Sequence, residues 1–148
     1  MQYPNVGPVF SSHEIVETAV MQVALESAAL ETALPRHTDQ SVVDLAQLLE
    51  ETSGPESDFP ALNVRFHLGI VRPSPYQDLA QTIHSLLERA ARYVPVRRVP
   101  GYRDEAQVEH HQMDAVRDRD LLRLKESNEH HVTRAARRLA DRFAEPGG

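Results

Sequence analysis

Apolar residues along the chain recur at alternating steps of three and four, the mark of helices that each bury one face. Ser11 stands three residues before Glu14, the spacing of a capping box, and Val16, Val20, Val23, Ser27, Leu30 and Leu34 follow as an expected inner row that Pro35 ends. A second helix is predicted from about Thr38, carrying Val42, Val43, Leu45, Leu48 and Leu49 until the polar stretch TSGPES dissolves it. Asp58 can cap a third helix with Pro60 in its first turn, and Phe59, Leu62, Asn63, Phe66, His67 and Ile70 then form one stripe. RPSP breaks the chain before a long fourth helix lined by Leu79, Ile83, Leu86, Ala90, Tyr93 and Val94, and PVRRVPGY reads as a loop. A fifth helix is predicted from about Arg103 to Arg117, and a sixth from Asp118 or Asp120 to about Phe143, ahead of the tail AEPGG. No alternating run marks a strand and no internal repeat is visible. The expected fold is all-α, an antiparallel bundle of about six helices.

Polar residues interrupt these apolar faces at particular places. Asn63 and His67 lie one turn apart within the third stripe. On the fifth helix, taking Met113 and Val116 as the buried centre turns Glu109 nearer the interior than His110, though either can reach it, and points His111 away. On the sixth, Leu124, Asn128, His131, Ala135 and Leu139 form the expected row, so His131 faces inward and His130 is displaced toward solvent. One or two ligand-type residues from each of three helices thus converge, which suggests a metal or anion site. The competing reading is a set of buried polar groups hydrogen-bonded to one another.

At 148 residues the chain fits one domain with a core of its own. It has no cysteine, so a metal could be held only by imidazole, carboxylate, amide or water. Imidazoles together with a carboxylate or an amide oxygen suit a divalent ion such as Zn²⁺, Ni²⁺, Mn²⁺ or Fe²⁺. The net charge of -6 opposes unaided binding of a nucleic acid. The start, MQYPNVGPVF, lacks the basic and apolar segments of a signal peptide, and no later stretch is apolar enough for a membrane span. A cytoplasmic setting is expected.

These residues carry a family resemblance. Gln22, Leu25, Glu26 and Ala29 resemble the R-x-x-L-E-x-x-A-A pattern of the FCD domain, with its arginine replaced. Asn63-Val64-Arg65-Phe66-His67 resembles that family's D-x-x-x-H, the stretch from Val108 to Asp120 its E-H-x-x-I-L-x-A-I-x-x-x-D, and His131-Val132 its final H-L. The likeness covers roughly residues 13–143. FCD domains are the all-helical C-terminal effector-binding domains of GntR-type transcription regulators, and their metal-binding members use one aspartate and three histidines. The resemblance implies Asn63, His67, Glu109 and His131 as the corresponding quartet, with the single carboxylate moved to another helix. One residue deleted before it would place His110, not Glu109, at the third position.

The resemblance further implies a sensor that binds a divalent metal and a small organic acid and forms a homodimer. Arg103 lies near where family arginines hold acidic effectors, with Arg97 and Arg98 close by, and Asn128 is a candidate ligand-binding partner. Only about a dozen residues precede the first helix, too few for the family's winged helix-turn-helix. Contact with DNA is therefore expected only through a missing domain or a partner. Residues 1–12 are read as an extension or linker remnant, 13–143 as the ligand-binding domain and 144–148 as a disordered tail. Two alternatives stand beside this non-enzymatic reading: a metal-dependent enzyme of the non-haem iron oxygenase or hydrolase kind, with His110 as its base, and a metal-free helical interaction module.

Overall fold

A computed structural model describes residues 11–52, 59–93 and 102–144. Six α-helices run in chain order: α1 (Ser12–Ala33), α2 (Asp39–Thr52), α3 (Phe59–Val71), α4 (Gln77–Tyr93), α5 (Tyr102–Arg117) and α6 (Leu121–Ala144), with a short 3-10 turn at Leu34–Arg36. No strand occurs among the described residues. The helices form the expected antiparallel bundle: α1 packs along α6 and α4, α2 against α3, and α5 against α6. The Asp58 cap, Val94, the loop arginines Arg97 and Arg98 and the 144–148 tail lie mainly or wholly outside the described residues, as does most of the 1–12 extension.

Local signals account for the helix ends. Ser11 Oγ accepts from the Glu14 amide at 3.1 Å and starts α1. Thr38 and Ser41 cap α2 reciprocally: the Ser41 amide donates to Thr38 Oγ1 at 3.0 Å and the Thr38 amide to Ser41 Oγ at 2.9 Å. Asp120 Oδ1 accepts from the Arg123 amide at 3.1 Å at the head of α6. Helix α5 stops in a Schellman turn, with the Asp120 amide donating to Ala115 O and the Arg119 amide to Val116 O. That turn puts Arg119 at φ 56, a left-handed conformation that a side chain makes unfavourable by roughly 1–2 kcal/mol. The Arg119 guanidinium donates to the Leu34 carbonyl at 2.9 Å, tying this turn to the end of α1.

The interior is layered along the bundle. One apolar cluster gathers Ala29, Leu30 and Leu34 with Leu45, Leu49, Phe66, Ile70, Val71, Ile83, Leu87, Met113, Val116 and Leu124. A second joins Ile15 and Ala19 of α1 to Tyr93 of α4 and to Val132, Ala136 and Ala140 of α6. Between the two, α1 buries Gln22 and Glu26 while α6 buries Asn128 and His131. At the second cluster's edge Arg89 Nε donates to the Tyr93 hydroxyl at 3.1 Å, which lies 3.2 Å from Thr18 Oγ1. His37, buried beside the first, reaches Ile70 O through Nε2 and Ser41 Oγ through Nδ1, and burial lowers its pKa.

The buried faces differ from the expected ones on three helices. On α1 the expected row fails at its start: Val16 and Val20 are 43% and 64% exposed, Val23 and Ser27 are half-buried, Leu30 and Leu34 are buried as expected, and the buried face of the helix is Ile15, Thr18, Ala19, Gln22, Glu26, Ala29, Leu30 and Ala33. Several small residues let α1 sit close to α6, and that approach selects the alanine face over the valine one. On α2 Val43 is exposed while Leu45 and Leu49 are buried. On α6 the buried row after His131 runs through Val132, Ala136 and Ala140, leaving Ala135 and Leu139 only partly buried. The rotation yields a direct prediction for chemical denaturation. Ile15→Ala is expected to lower the unfolding free energy by about 2–5 kcal/mol and Val20→Ala by about 0.5 kcal/mol or less; equal losses would contradict the observed face.

Candidate functional site

The polar layer is assembled from four helices. Phe66 is fully buried on α3 and holds the next residue, His67, inside the bundle. On α5 Met113 and Val116 anchor the inner face, which carries Glu109 and Gln112 with it, both at 0% exposure. Leu124 and Val132 do the same for Asn128 and His131 on α6, and Ala29 and Leu30 for Gln22 and Glu26 on α1.

His67, Glu109 and His131 come together as a buried group whose ligand atoms all lie within 4.8 Å of one another. The imidazoles of His67 and His131 stack with centroids 5.5 Å apart and planes 8° from parallel. His67 Nε2 and Glu109 Oε1 are 3.9 Å apart, too far for a hydrogen bond. Burial, reinforced by His131, pushes the His67 pKa down to about 3, and burial with His130 nearby lowers that of His131 to about 4. Both rings are therefore neutral at physiological pH, the state in which imidazole offers a lone pair to a metal. Asn63, one turn before His67, is half-buried, and its Oδ1 is enclosed without a hydrogen-bond partner. Two neutral imidazoles, one carboxylate and an enclosed amide oxygen fit a borderline divalent cation.

Beside this group lies a second one. Glu26 accepts from Asn128 Nδ2 at 2.8 Å and from Gln22 Nε2 at 3.4 Å, and Asn128 Oδ1 accepts from Gln112 Nε2 at 3.4 Å. No Lys or Arg pairs with Glu26 among the described residues. Desolvation, only partly opposed by these bonds, pushes its pKa up to about 7. A cavity of about 10 Å³ is lined by Glu26, Gln112, Asn128 and His67 together with Leu30, Ile70, Val71 and Leu124. That volume is close to the minimum that holds one water.

The structure separates the sequence candidates. It buries His67, Glu109, Asn128 and His131, and it leaves Asn63, one turn before His67 on α3, half-buried. His110, the alternative to Glu109, is exposed, as is His111, because the turn of α5 that buries Met113 and Val116 points both outward. Arg103 lies in the first turn of α5, and its side chain lies outside the described residues. His84, expected at a helix edge, is partly exposed and pairs with Glu88 at 3.2 Å. Glu26, Gln22 and Gln112 were missed as interior polar residues. The signal for Gln112 was present, since it shares the Glu109, Met113 and Val116 face; that for Glu26 was hidden by the valine row taken for the buried side of α1.

Comparison with known proteins agrees with this architecture. The FCD domain model matches residues 17–134. A GntR-family transcriptional regulator from Pseudomonas syringae pv. tomato superposes with a TM-score of 0.77 at 15% identity, over 90% of this chain and 58% of its own. McbR/YncC of E. coli superposes with a TM-score of 0.77 at 19% identity, over 96% of this chain and 69% of its own. The chain thus spans well under two thirds of the first regulator's length. No curated protein matches it at the sequence level. No helix among the described residues is long and apolar enough to cross a membrane.

The buried carboxyl of Glu26 makes stability depend on pH in a defined sense. Its folded pKa lies above the unfolded value of 4.5, so its stabilising contribution is complete below that value and is lost as pH rises through about 7. Glu26→Gln, which cannot ionise, should therefore gain on the metal-free wild type between pH 5 and pH 8 by about 2–3 kcal/mol. Thermal melts across that range test this, and a constant difference would contradict a strained buried carboxylate.

Proposed function

This chain belongs to the FCD domain family, and from that membership we propose that it is the sensor domain of a GntR-type transcription regulator, binding a divalent metal and a small organic acid inside its helical bundle. Membership makes it a regulatory, non-enzymatic, effector-binding domain. The metal and the acid are our reading, supported chiefly by the three buried donors His67, Glu109 and His131 within 4.8 Å of one another.

His67, Glu109 and His131 would hold the ion, with the enclosed Asn63 amide oxygen as a fourth donor. Bound there, Zn²⁺, Ni²⁺, Mn²⁺ or Fe²⁺ supplies the positive charge that attracts an effector carboxylate. The protein keeps both imidazoles neutral, excludes bulk water, and fixes the donors on three different helices. Arg103 is a candidate second contact for the acid, and Asn128, lining the cavity, a candidate contact for its body. Asparagine where metal-binding relatives carry aspartate lowers the site's negative charge and should weaken its hold on the ion.

Regulation would follow from linkage. Donors on α3, α5 and α6 and cavity walls from α1 meet at one point, so a ligand there favours one arrangement of four helices over others. In a homodimer, whose interface could cover the exposed Val16, Val20 and Met21 of α1, that shift would alter the spacing of two DNA-binding modules. DNA contact would come from a winged helix-turn-helix or a partner, and the setting would be the cytoplasm.

Elemental analysis of protein purified without chelator is the test. Near-stoichiometric metal is expected in the wild type and in His110→Ala, with at least a tenfold loss of affinity in His67→Ala and Glu109→Ala. Restoring metal at about 100 times its Kd should stabilise the apo protein by about 2.7 kcal/mol. No metal in any sample, and no stabilisation on adding it, would exclude the metal sensor and leave a metal-free effector domain.

A further inference from the structure

The Glu26 corner of the cavity has a polarity of its own. An ionised carboxylate only accepts hydrogen bonds, so Gln22 and Asn128 must both turn their NH₂ groups toward Glu26. Asn128 Oδ1 then faces Gln112 and takes its Nε2. This order leaves Gln112 Oε1 as the end of the relay, fully buried, beside the cavity, and without a hydrogen-bond partner. Glu26 meanwhile receives only neutral donors, one on each oxygen, with lone pairs to spare. Gln112 Oε1 and the spare lone pairs of Glu26 are thus open acceptors at this corner, and no Lys or Arg among the described residues pairs with the Glu26 charge.

We propose that the corner formed by Glu26, Asn128 and Gln112 receives a primary ammonium group, so that the effector of this domain is an amino acid or a related amine-bearing acid. This rests on the effector-site reading above and narrows it. An ammonium offers three donors and no acceptor, which matches the unfilled positions, and brings the charge that Glu26 lacks. A hydroxyl supplies one donor and no charge. A methyl group would leave Gln112 Oε1 and Glu26 dry and unpaired, an arrangement that buried polar groups resist. The whole cavity, about 10 Å³, holds one heavy atom the size of an ammonium head, so the remainder of such a ligand enters only as the lining side chains move apart. Its wall continues to His67, so a molecule with its ammonium at Glu26 can extend its carboxylate toward the His67, Glu109 and His131 group.

Isosteric pairs test the proposal, because a methyl group replaces the ammonium at nearly constant volume: glycine against propionate, β-alanine against butyrate, and 4-aminobutyrate against valerate. Binding to wild type, Glu26→Gln and Gln112→Leu would be measured by calorimetry and thermal shift with and without Ni²⁺. Methylammonium chloride against potassium chloride serves as a metal-independent probe. The expected result is at least one amino member binding tenfold or more tighter than its partner. That ratio should fall to about threefold or less in Glu26→Gln, whose fold is verified by its melt. Acids that bind without an amino preference, or a preference that survives Glu26→Gln, would overturn the ammonium assignment and leave the effector-site reading intact. Stabilisation by methylammonium that needs Glu26, with no response to any acid, would support the ammonium corner and overturn the organic-acid reading. No response to any pair or to methylammonium would overturn both.

Discussion

The rest of the bundle depends on keeping a layer of hydrogen-bonding and ionisable side chains dry between two apolar clusters. Burying a carboxylate without a counter-charge is expensive, and Glu26 is enclosed with no Lys or Arg pairing with it among the described residues, while Glu109 is also fully buried. The clusters above and below must therefore hold four helices tightly enough that water does not enter to relieve the cost. Phe66, Met113, Val116 and Leu124 do so on one side; Ile15, Tyr93, Val132 and Ala140 do so on the other. A fold with this arrangement gives up stability at mid-height, and the same arrangement supplies a place where a charged ligand can be worth more than it would be at a surface.

The layer has two halves with different chemistry. His67 and His131 are pushed toward neutrality by burial and so stand as lone-pair donors beside Glu109. Glu26 is solvated instead by amides whose orientations it dictates in sequence, through Asn128 to Gln112. His67 borders the cavity that Glu26 also lines, so the halves share a wall. A ligand that met both would touch α1, α3, α5 and α6 at once, which connects occupancy of the site to helix arrangement and gives a sensor domain its means of response.

The sequence by itself determined the helices and their ends. Steps of three and four set each element, Pro35 and RPSP stopped two of them, and Thr38 and Asp120 stand at the starts of two others with caps satisfied in the structure. On α3, α5 and α6 strong apolar anchors sit beside the polar residues, so the inward turn of His67, Glu109 and His131 was legible from spacing alone. Between adjacent Glu109 and His110, Met113 and Val116 only inclined Glu109 toward the interior, because a rotation of about 100° separates neighbours on a helix, and left His110 within reach; the packed structure buries Glu109 and exposes His110.

Tertiary structure alone decided α1 and, with it, half of the polar layer. That helix offers two competing faces, one with Val16 and Val20 and one of alanines interrupted by Thr18, Gln22 and Glu26. Hydrophobicity favours the first, and periodicity cannot arbitrate between them. The outcome turns on shape: small residues permit close approach to α6, and Glu26 becomes tolerable inside only because Asn128, 102 positions along the chain, donates to it. Partners that distant leave no trace in local spacing. Only the packed bundle brings them within hydrogen-bond reach, where the gain from pairing buried polar groups offsets the loss of burying valine.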